Sequence, residues 1–120
     1  MQWHVWLPQL LKQEKLKMKN SPLQLFKNGE NNLAWRGSLP SPLEEYRVIL
    51  VYPYNYPIGF IKVFMEPFDK IPKECLDEDF SLKIPPECIK KLDDIGALSY
   101  YYLSALLIAT INENLDKIER

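Results

Sequence analysis

Histidine, cysteine and glycine are scarce in this 120-residue sequence, and each shortage excludes a class of function. The single histidine, His4, and the two cysteines, Cys75 and Cys88, do not have the spacing of zinc ligands. The four glycines are scattered, and none opens a helix after a strand as in a phosphate-binding loop. We therefore expect no metal centre and no nucleotide or other cofactor.

The sequence also lacks a strong net charge and a long apolar run. A formal net charge of −1 gives no reason to expect nucleic acid as a partner. The most apolar stretch, Ala97 to Ile111, is shorter than the roughly 20 residues that a membrane-spanning helix needs. The start of the chain lacks the regions of a signal peptide, and cysteines are few. We expect a cytoplasmic protein without membrane contact.

Apolar residues are plentiful, and their spacing predicts both helices and strands. A hydrophobic fraction of 47% suffices for one compact core, so we expect residues 1–120 to form a single domain. Leu7, Leu10 and Leu11 have helical spacing, which predicts a short amphipathic helix after Pro8. Extended or strand-forming segments are predicted at 22–26, 33–39, 46–52 and 60–65.

The second half of the sequence predicts irregular structure followed by a buried helix. Prolines and acidic residues are frequent between Glu66 and Asp94, so regular structure should be scarce there and a functional site would lie on loops. From Leu98 onward the pattern predicts a helix whose first half is apolar nearly all round and is followed by the polar segment 112–120. Such a helix is typically packed across a sheet. The fold class predicted is α+β.

The segment LAWRGSLPSPLEEYRVILVYPYNYPIGFIKVF shows a family likeness. Trp35, Pro40, Ser41-Pro42 and Tyr56-Pro57 fall in the order and spacing found in ubiquitin-conjugating (E2) enzymes. The chain resembles a divergent, bacterial E2-like member of the superfamily that also includes inactive E2 variants and RWD domains. The resemblance implies a UBC-like fold, with an amino-terminal helix, an antiparallel four-strand meander and a buried carboxy-terminal helix across the sheet. The chain departs from the family at Phe60-Ile61, where E2 enzymes usually have two prolines.

The resemblance also implies where a catalytic residue would lie. E2 enzymes carry a ubiquitin-like protein on a cysteine, and an Asn of a nearby His-Pro-Asn motif stabilises the oxyanion. In this chain the ungapped register puts Ile71-Pro72-Lys73 at that motif and Ser81 at the nucleophile position. A short deletion would place Cys75 there instead, within the sequence Cys-Leu-Asp. Cys88 requires an insertion and has poorer flanking residues.

The two principal candidates differ in chemistry. A thiol is a fair nucleophile near neutral pH, whereas the Ser81 hydroxyl would need a positioned base, and no histidine is close to it in sequence. The carboxylates of residues 77–79 would oppose the negative charge of acyl transfer and would raise the pKa of Cys75. Lys73 would partly offset that effect. The third possibility is that the chain has no catalytic nucleophile.

Two functions follow from the resemblance. In the first, the chain is an E2-like carrier in ubiquitin-like conjugation, holding the modifier as an ester or thioester in a setting such as bacterial defence. Its partners are a ubiquitin-like protein and an E1-like activating enzyme that docks on the basic first helix through Lys12, Lys15 and Lys19. In the second, it is a noncatalytic E2-variant or RWD-like protein-binding module, for instance in a heterodimer with another pathway protein. Without the resemblance, a small α+β interaction module remains.

Overall fold

The structure, a computed structural model, describes residues 2–92, 94 and 96–119, with side chains through residue 113. It has an α+β fold, as predicted, with amino-terminal helices, a four-strand antiparallel sheet and a carboxy-terminal helix. The elements are α1 (Trp3–Trp6), α2 (Pro8–Met18), β1 (Gln24–Lys27), β2 (Leu33–Ser38), β3 (Arg47–Val51), β4 (Lys62–Glu66), α3 (Pro86–Lys90) and α4 (Ala97–Glu119). Two short 3-10 turns, Phe68–Lys70 and Lys73–Cys75, lie between β4 and α3.

The sheet is a meander with the strand order β1-β2-β3-β4. Trp35 pairs with Leu50, and Leu50 pairs with Val63, and all three side chains are buried. Ile49, which precedes Leu50, points to the other face and is half-buried. Alternate residues of a strand face opposite sides, so the inner face of the sheet builds the core while the outer face keeps more contact with solvent. β4 forms one edge of the sheet.

Helix α4 lies against the inner face of the sheet and next to α2. Its residues Tyr100 and Ile108 are each 1% exposed and belong to the core. The apolar first half and the polar segment that follows it belong to one helix, as the sequence pattern predicted, and this helix extends to Glu119. The short helices α1 and α3 were not predicted. No helix in the described part of the chain has the length and apolar character needed to cross a bilayer.

Glu14 is the one acidic residue of α2, and its side chain points into the core, where it is 1% exposed. Its Oε1 accepts a hydrogen bond from the Tyr52 hydroxyl at 2.7 Å and another from the Ala97 backbone N–H at 2.9 Å. The Tyr52 hydroxyl in turn accepts a bond from the Trp35 indole N–H at 2.9 Å. Burial, followed by the charge of Glu14, raises the pKa of Tyr52 well above its ordinary value. A buried polar group is tolerated only when it is hydrogen-bonded, and here the bonds join α2, β2, β3 and α4.

The amino terminus of α4 is capped by side chains from outside the helix. Ala97 N–H donates to Glu14, and Gly96 N–H donates to Asp94 Oδ1 at 3.0 Å. Asp94 also forms an ion pair with Lys17, which lies one turn after Glu14 on α2. These acceptors satisfy N–H groups that a helix start otherwise leaves unpaired, and their negative charge suits its positive dipole end. A Cβ at Gly96 would lie 2.6 Å from Glu14 Oε2, so only glycine leaves room for this contact.

We predict that Glu14→Ala lowers the free energy of unfolding by about 3 kcal/mol, because two buried donors lose their acceptor. Glu14→Gln keeps an acceptor oxygen at the same place and loses mainly the charge at the helix terminus, so we expect a loss of about 1 kcal/mol. Glu30→Gln, at an exposed turn, serves as the control. Urea denaturation followed by circular dichroism measures all three. Equal stability of Glu14→Ala and the control would contradict the proposed role of this carboxyl.

Candidate functional site

The predicted site residues lie on a small irregular hairpin formed by residues 75–83. Lys83 N–H donates to the Cys75 carbonyl at 2.8 Å, and Asp77 N–H donates to the Ser81 carbonyl at 2.8 Å. Between them Leu76 and Leu82 form a β-bridge. We call residues 75–83 the site hairpin. It is anchored to the sheet because Leu82 N–H donates to the Val63 carbonyl of the edge strand β4 at 2.7 Å.

Ser81, the residue in register with the E2 nucleophile, is 4% exposed. Its hydroxyl donates to Asp79 Oδ1 at 2.5 Å, and its backbone N–H donates to the same oxygen at 3.0 Å. Asp79 Oδ2 pairs with the Lys62 ammonium group of β4. The pair with Lys62 first, and then the bonds from Ser81, hold the pKa of Asp79 well below its ordinary value of 3.8.

This arrangement suits a structural hydroxyl better than a nucleophile. A serine nucleophile must lose its proton to a positioned base. The acceptor here is a carboxylate whose pKa is lowered, chiefly by Lys62, and a low pKa makes it a weak base. The two bonds from Ser81 instead form an Asx-type turn that fixes the tip of the hairpin. The catalytic role of Ser81 stays a prediction, since its position on the hairpin does not test the reaction.

Cys75, the alternative nucleophile, lies at the open end of the site hairpin and is half-buried. Burial and then the charge of Glu74 raise the pKa of its thiol, while Lys83 lowers it. The pKa of Cys75 is therefore raised, as predicted, but the charged neighbours that shift it are not the predicted ones. The offsetting lysine is Lys83, across the hairpin, rather than Lys73. A raised pKa leaves less thiolate at neutral pH, so the thiol is less reactive than a free one.

The triplet that aligns with the His-Pro-Asn motif of E2 enzymes, Ile71-Pro72-Lys73, is part of no catalytic cluster in the described part of the chain. Ile71 is buried in the core, and Pro72 precedes the 3-10 turn at Lys73–Cys75. Lys73 is exposed, so no side chain of this triplet takes the place of the E2 asparagine. Cys88 is half-buried on α3 and, like Cys75, is not in a disulfide.

An open groove of about 910 Å³ runs beside the site hairpin. Its wall and floor include the edge strand β4, the site hairpin, α3 and one residue of α4, and its apolar lining includes Phe60, Val63, Leu82, Ile89 and Tyr100. Ser81, Asp79 and Lys62 also line it. A cavity of this size falls in the range of ligand-binding sites. The predicted nucleophile Ser81 therefore lies on the lining of this groove.

The predicted docking residues Lys12, Lys15 and Lys19 are all exposed on or just after α2. Because the acidic Glu14 is turned into the core, the solvent-facing side of α2 carries only positive charge. Lys17 takes part in the ion pair with Asp94. The three predicted lysines thus form one basic surface.

Two features of the site were not predicted. The first is the network of Asp79 and Lys62, although the sequence Asp-Phe-Ser at 79–81 carries an Asx-turn signal that could have indicated it. The second is a pair of aromatic rings, Phe68 and Phe80, whose centroids lie 5.9 Å apart. No local pattern connects these two residues, because they meet only when the site hairpin folds back beside the turn after β4.

We predict that the Cys75 thiol reacts slowly with iodoacetamide at neutral pH and that its rate rises with a midpoint above that of the unfolded chain, because burial raises its pKa. The rate is measured by mass spectrometry across a pH series on the Cys88→Ser protein, with the same protein in denaturant as the control. Glu74→Gln should lower the midpoint, since it removes a negative neighbour. A folded midpoint below the unfolded one would contradict this and would favour Cys75 as an activated nucleophile.

Comparison with known proteins returned no match, whether to a family model, a curated protein or a solved structure. The likeness to E2 enzymes therefore depends on the residues from Trp35 to Val63 and on the order of elements. The function has to be argued from the groove, the site hairpin and the exposed surfaces.

Proposed function

We propose that this chain is a noncatalytic protein-binding module of the E2-variant or RWD type, which holds an extended segment of a partner protein in the groove beside the site hairpin. The observation that carries the proposal is the bonding of Ser81. Its hydroxyl donates a hydrogen bond to Asp79, and Asp79 forms an ion pair with Lys62. Ser81 is the residue that aligns with the nucleophile of E2 enzymes. The groove nevertheless remains open and mainly apolar.

One side of the groove is the edge strand β4. The Val63 carbonyl of this strand already accepts a bond from Leu82, so the strand offers the groove its side chains rather than a free backbone edge. Side-chain pockets along a groove suit an extended segment and give such binding its specificity. Val63, Leu82 and Tyr100 supply a buried apolar floor, while Phe60 at the rim is 66% exposed. Covering an exposed aromatic ring of this size would contribute favourably to binding.

The basic surface of α2 supports a second contact with a protein partner. Lys12, Lys15 and Lys19 would attract an acidic face, which increases the rate of association more than the final affinity. In a conjugation pathway, that partner would be an E1-like activating enzyme or the active half of a heterodimer. The basic surface and the groove lie on different elements, so one module could hold two proteins together.

We predict that the protein selects peptides from a displayed library of random linear sequences and that Phe60→Ala weakens the selected peptides by about tenfold or more. Tyr102→Ala removes an aromatic ring of similar exposure from α4 and should leave the affinity unchanged. Fluorescence anisotropy gives the affinities, and melting temperatures verify folding. The groove would be excluded as the binding site if both variants bound like the unchanged protein, or if no peptide were selected.

The second candidate function is the E2-like carrier, favoured by the fact that Ser81 lines the groove next to Lys62 and Lys83. Lysine neighbours could stabilise the negative charge of an acyl-transfer intermediate. In this case the Ser81 hydroxyl would attack the carbonyl of the thioester that joins the modifier to the E1-like enzyme and would lose its proton to Asp79. The C–S bond would break, the E1 thiolate would leave and take up a proton, and the acyl group would remain on Ser81 as an ester. Cys75 would form a thioester in the same way.

We predict no covalent adduct on the protein when it is mixed with ATP, a ubiquitin-like modifier and an E1-like enzyme that activates this modifier, and the same result for Ser81→Ala. Denaturing electrophoresis provides the measurement, and a genuine E2 enzyme charged by its own E1 enzyme is the positive control. An adduct that hydroxylamine removes but reductant does not would establish an ester on Ser81. An adduct removed by reductant would establish a thioester. Either adduct would replace the noncatalytic proposal with the carrier.

A further inference from the structure

The backbone of Phe80 adopts a conformation that is unusual for its residue type. Its φ is 67°, in the left-handed region. Phe80 N–H donates to the Asp77 carbonyl at 2.9 Å, and Asp77 N–H donates to the Ser81 carbonyl at 2.8 Å, so Phe80 occupies the last position of a three-residue hairpin loop. Glycine is the usual residue at this position, because a side chain in the left-handed region costs roughly 1 to 2 kcal/mol. A phenylalanine at this position therefore destabilises the loop.

Burial of the Phe80 side chain does not offset this free-energy cost. It is 63% exposed, and its aromatic neighbour is Phe68, which is itself 55% exposed. The rings are tilted by 37° and form one apolar surface on the outside of the molecule, which we call the aromatic platform. Exposed aromatic rings grouped in this way are typical of protein-binding surfaces. Strain at such a residue also suggests a functional reason for keeping it.

The chain segment that carries the aromatic platform is strongly acidic. Residues 66–81 contain six acids and two lysines, which gives a formal charge of −4. Lys70 is already counted in that charge, and it pairs with Glu45 outside the segment. Lys62, from β4, pairs with Asp79. Asp69 follows Phe68 in the sequence, and Asp77 and Glu78 precede Phe80 in the site hairpin. All three are exposed, so the negative charge of this segment attracts cations.

We propose that the aromatic platform is the docking surface for a partner segment that is both basic and apolar, continuing from the segment held in the groove. Apolar side chains of the partner cover Phe68 and Phe80, and its lysine or arginine side chains pair with Asp69, Asp77 and Glu78. This inference rests on the proposed function, since it names the chemistry of the segment that the module binds. Charge complementarity selects this partner over an acidic one.

The site hairpin is built to display Phe80. Ser81 gives two hydrogen bonds to Asp79, and Asp79 pairs with Lys62 on the sheet, so the residues on either side of the ring are held in place. A surface that is already ordered loses less conformational entropy when it binds. The hydrogen bonds that make the Ser81 hydroxyl a poor nucleophile are thus the same bonds that fix the position of the aromatic platform.

The test uses the displayed library of random linear peptides and three substitutions. The unchanged protein should enrich peptides that combine lysine or arginine with apolar residues. Phe80→Asn and Phe68→Asn should each weaken those peptides by about tenfold or more, whereas Tyr102→Asn, on α4, should not. Since asparagine tolerates the left-handed region, Phe80→Asn should melt at or above the temperature of the unchanged protein. Rising salt should weaken binding.

The outcomes separate this inference from the proposed function. If Phe60→Ala weakens the peptides and Phe80→Asn does not, the groove binds and the platform is refuted. If Phe80→Asn weakens them and Phe60→Ala does not, the platform is supported and the groove is refuted. Enriched peptides that are acidic or uncharged would overturn the proposed partner. So would self-association in sedimentation that Phe80→Asn abolishes, because the platform would then bind a second copy of the chain.

Discussion

The buried carboxyl of Glu14 is the contact that the rest of the structure depends on. One oxygen accepts bonds from Tyr52, directly after β3, and from the first N–H of α4, while Tyr52 accepts a bond from Trp35 on β2. Burying a carboxyl group in an apolar core costs free energy unless such donors reach it. The helices and the sheet are therefore stable only in an arrangement that brings these donors to Glu14. Apolar contacts drive the collapse, and this polar contact selects the arrangement.

The shape of the groove depends on the contacts of the Glu14 carboxyl. Glu14 sets where α4 begins, and one turn later Tyr100 closes the wall of the groove against β4 and the site hairpin. The ion pair of Lys17 with Asp94 supports the same helix start from α2. The opposite wall depends on the bond from Leu82 to Val63, which ties the hairpin to the edge strand. We therefore expect the proposed binding at the groove to be sensitive to residues that do not line it.

Much of the fold could be predicted from the sequence, because α2 and the strands have strong apolar periods and β-branched or aromatic residues. The short helices α1 and α3 could not, since four or five residues are too few to show a helical period. Glu14 has lysines on either side of it in the sequence, and nothing local shows that it points inward. The same limit applies to Cys75, whose lysine neighbour is Lys83 across the hairpin and not Lys73 in sequence. Bonds between distant residues decide these details.

At the site hairpin, catalysis and binding make opposite demands on the same atoms. A nucleophile must be free to give up its proton and to move towards an acyl group, and its base must hold a proton easily. Ser81 is instead held by an ion-paired carboxylate, whose pKa lies below its ordinary value because it is stabilised as an anion. The two bonds from Ser81 fix the turn beside Phe80, whose φ lies in the left-handed region and whose ring is exposed. A hairpin whose polar groups bond to one another, and whose aromatic ring faces outward, supports the proposal of a recognition surface over that of an acyl carrier.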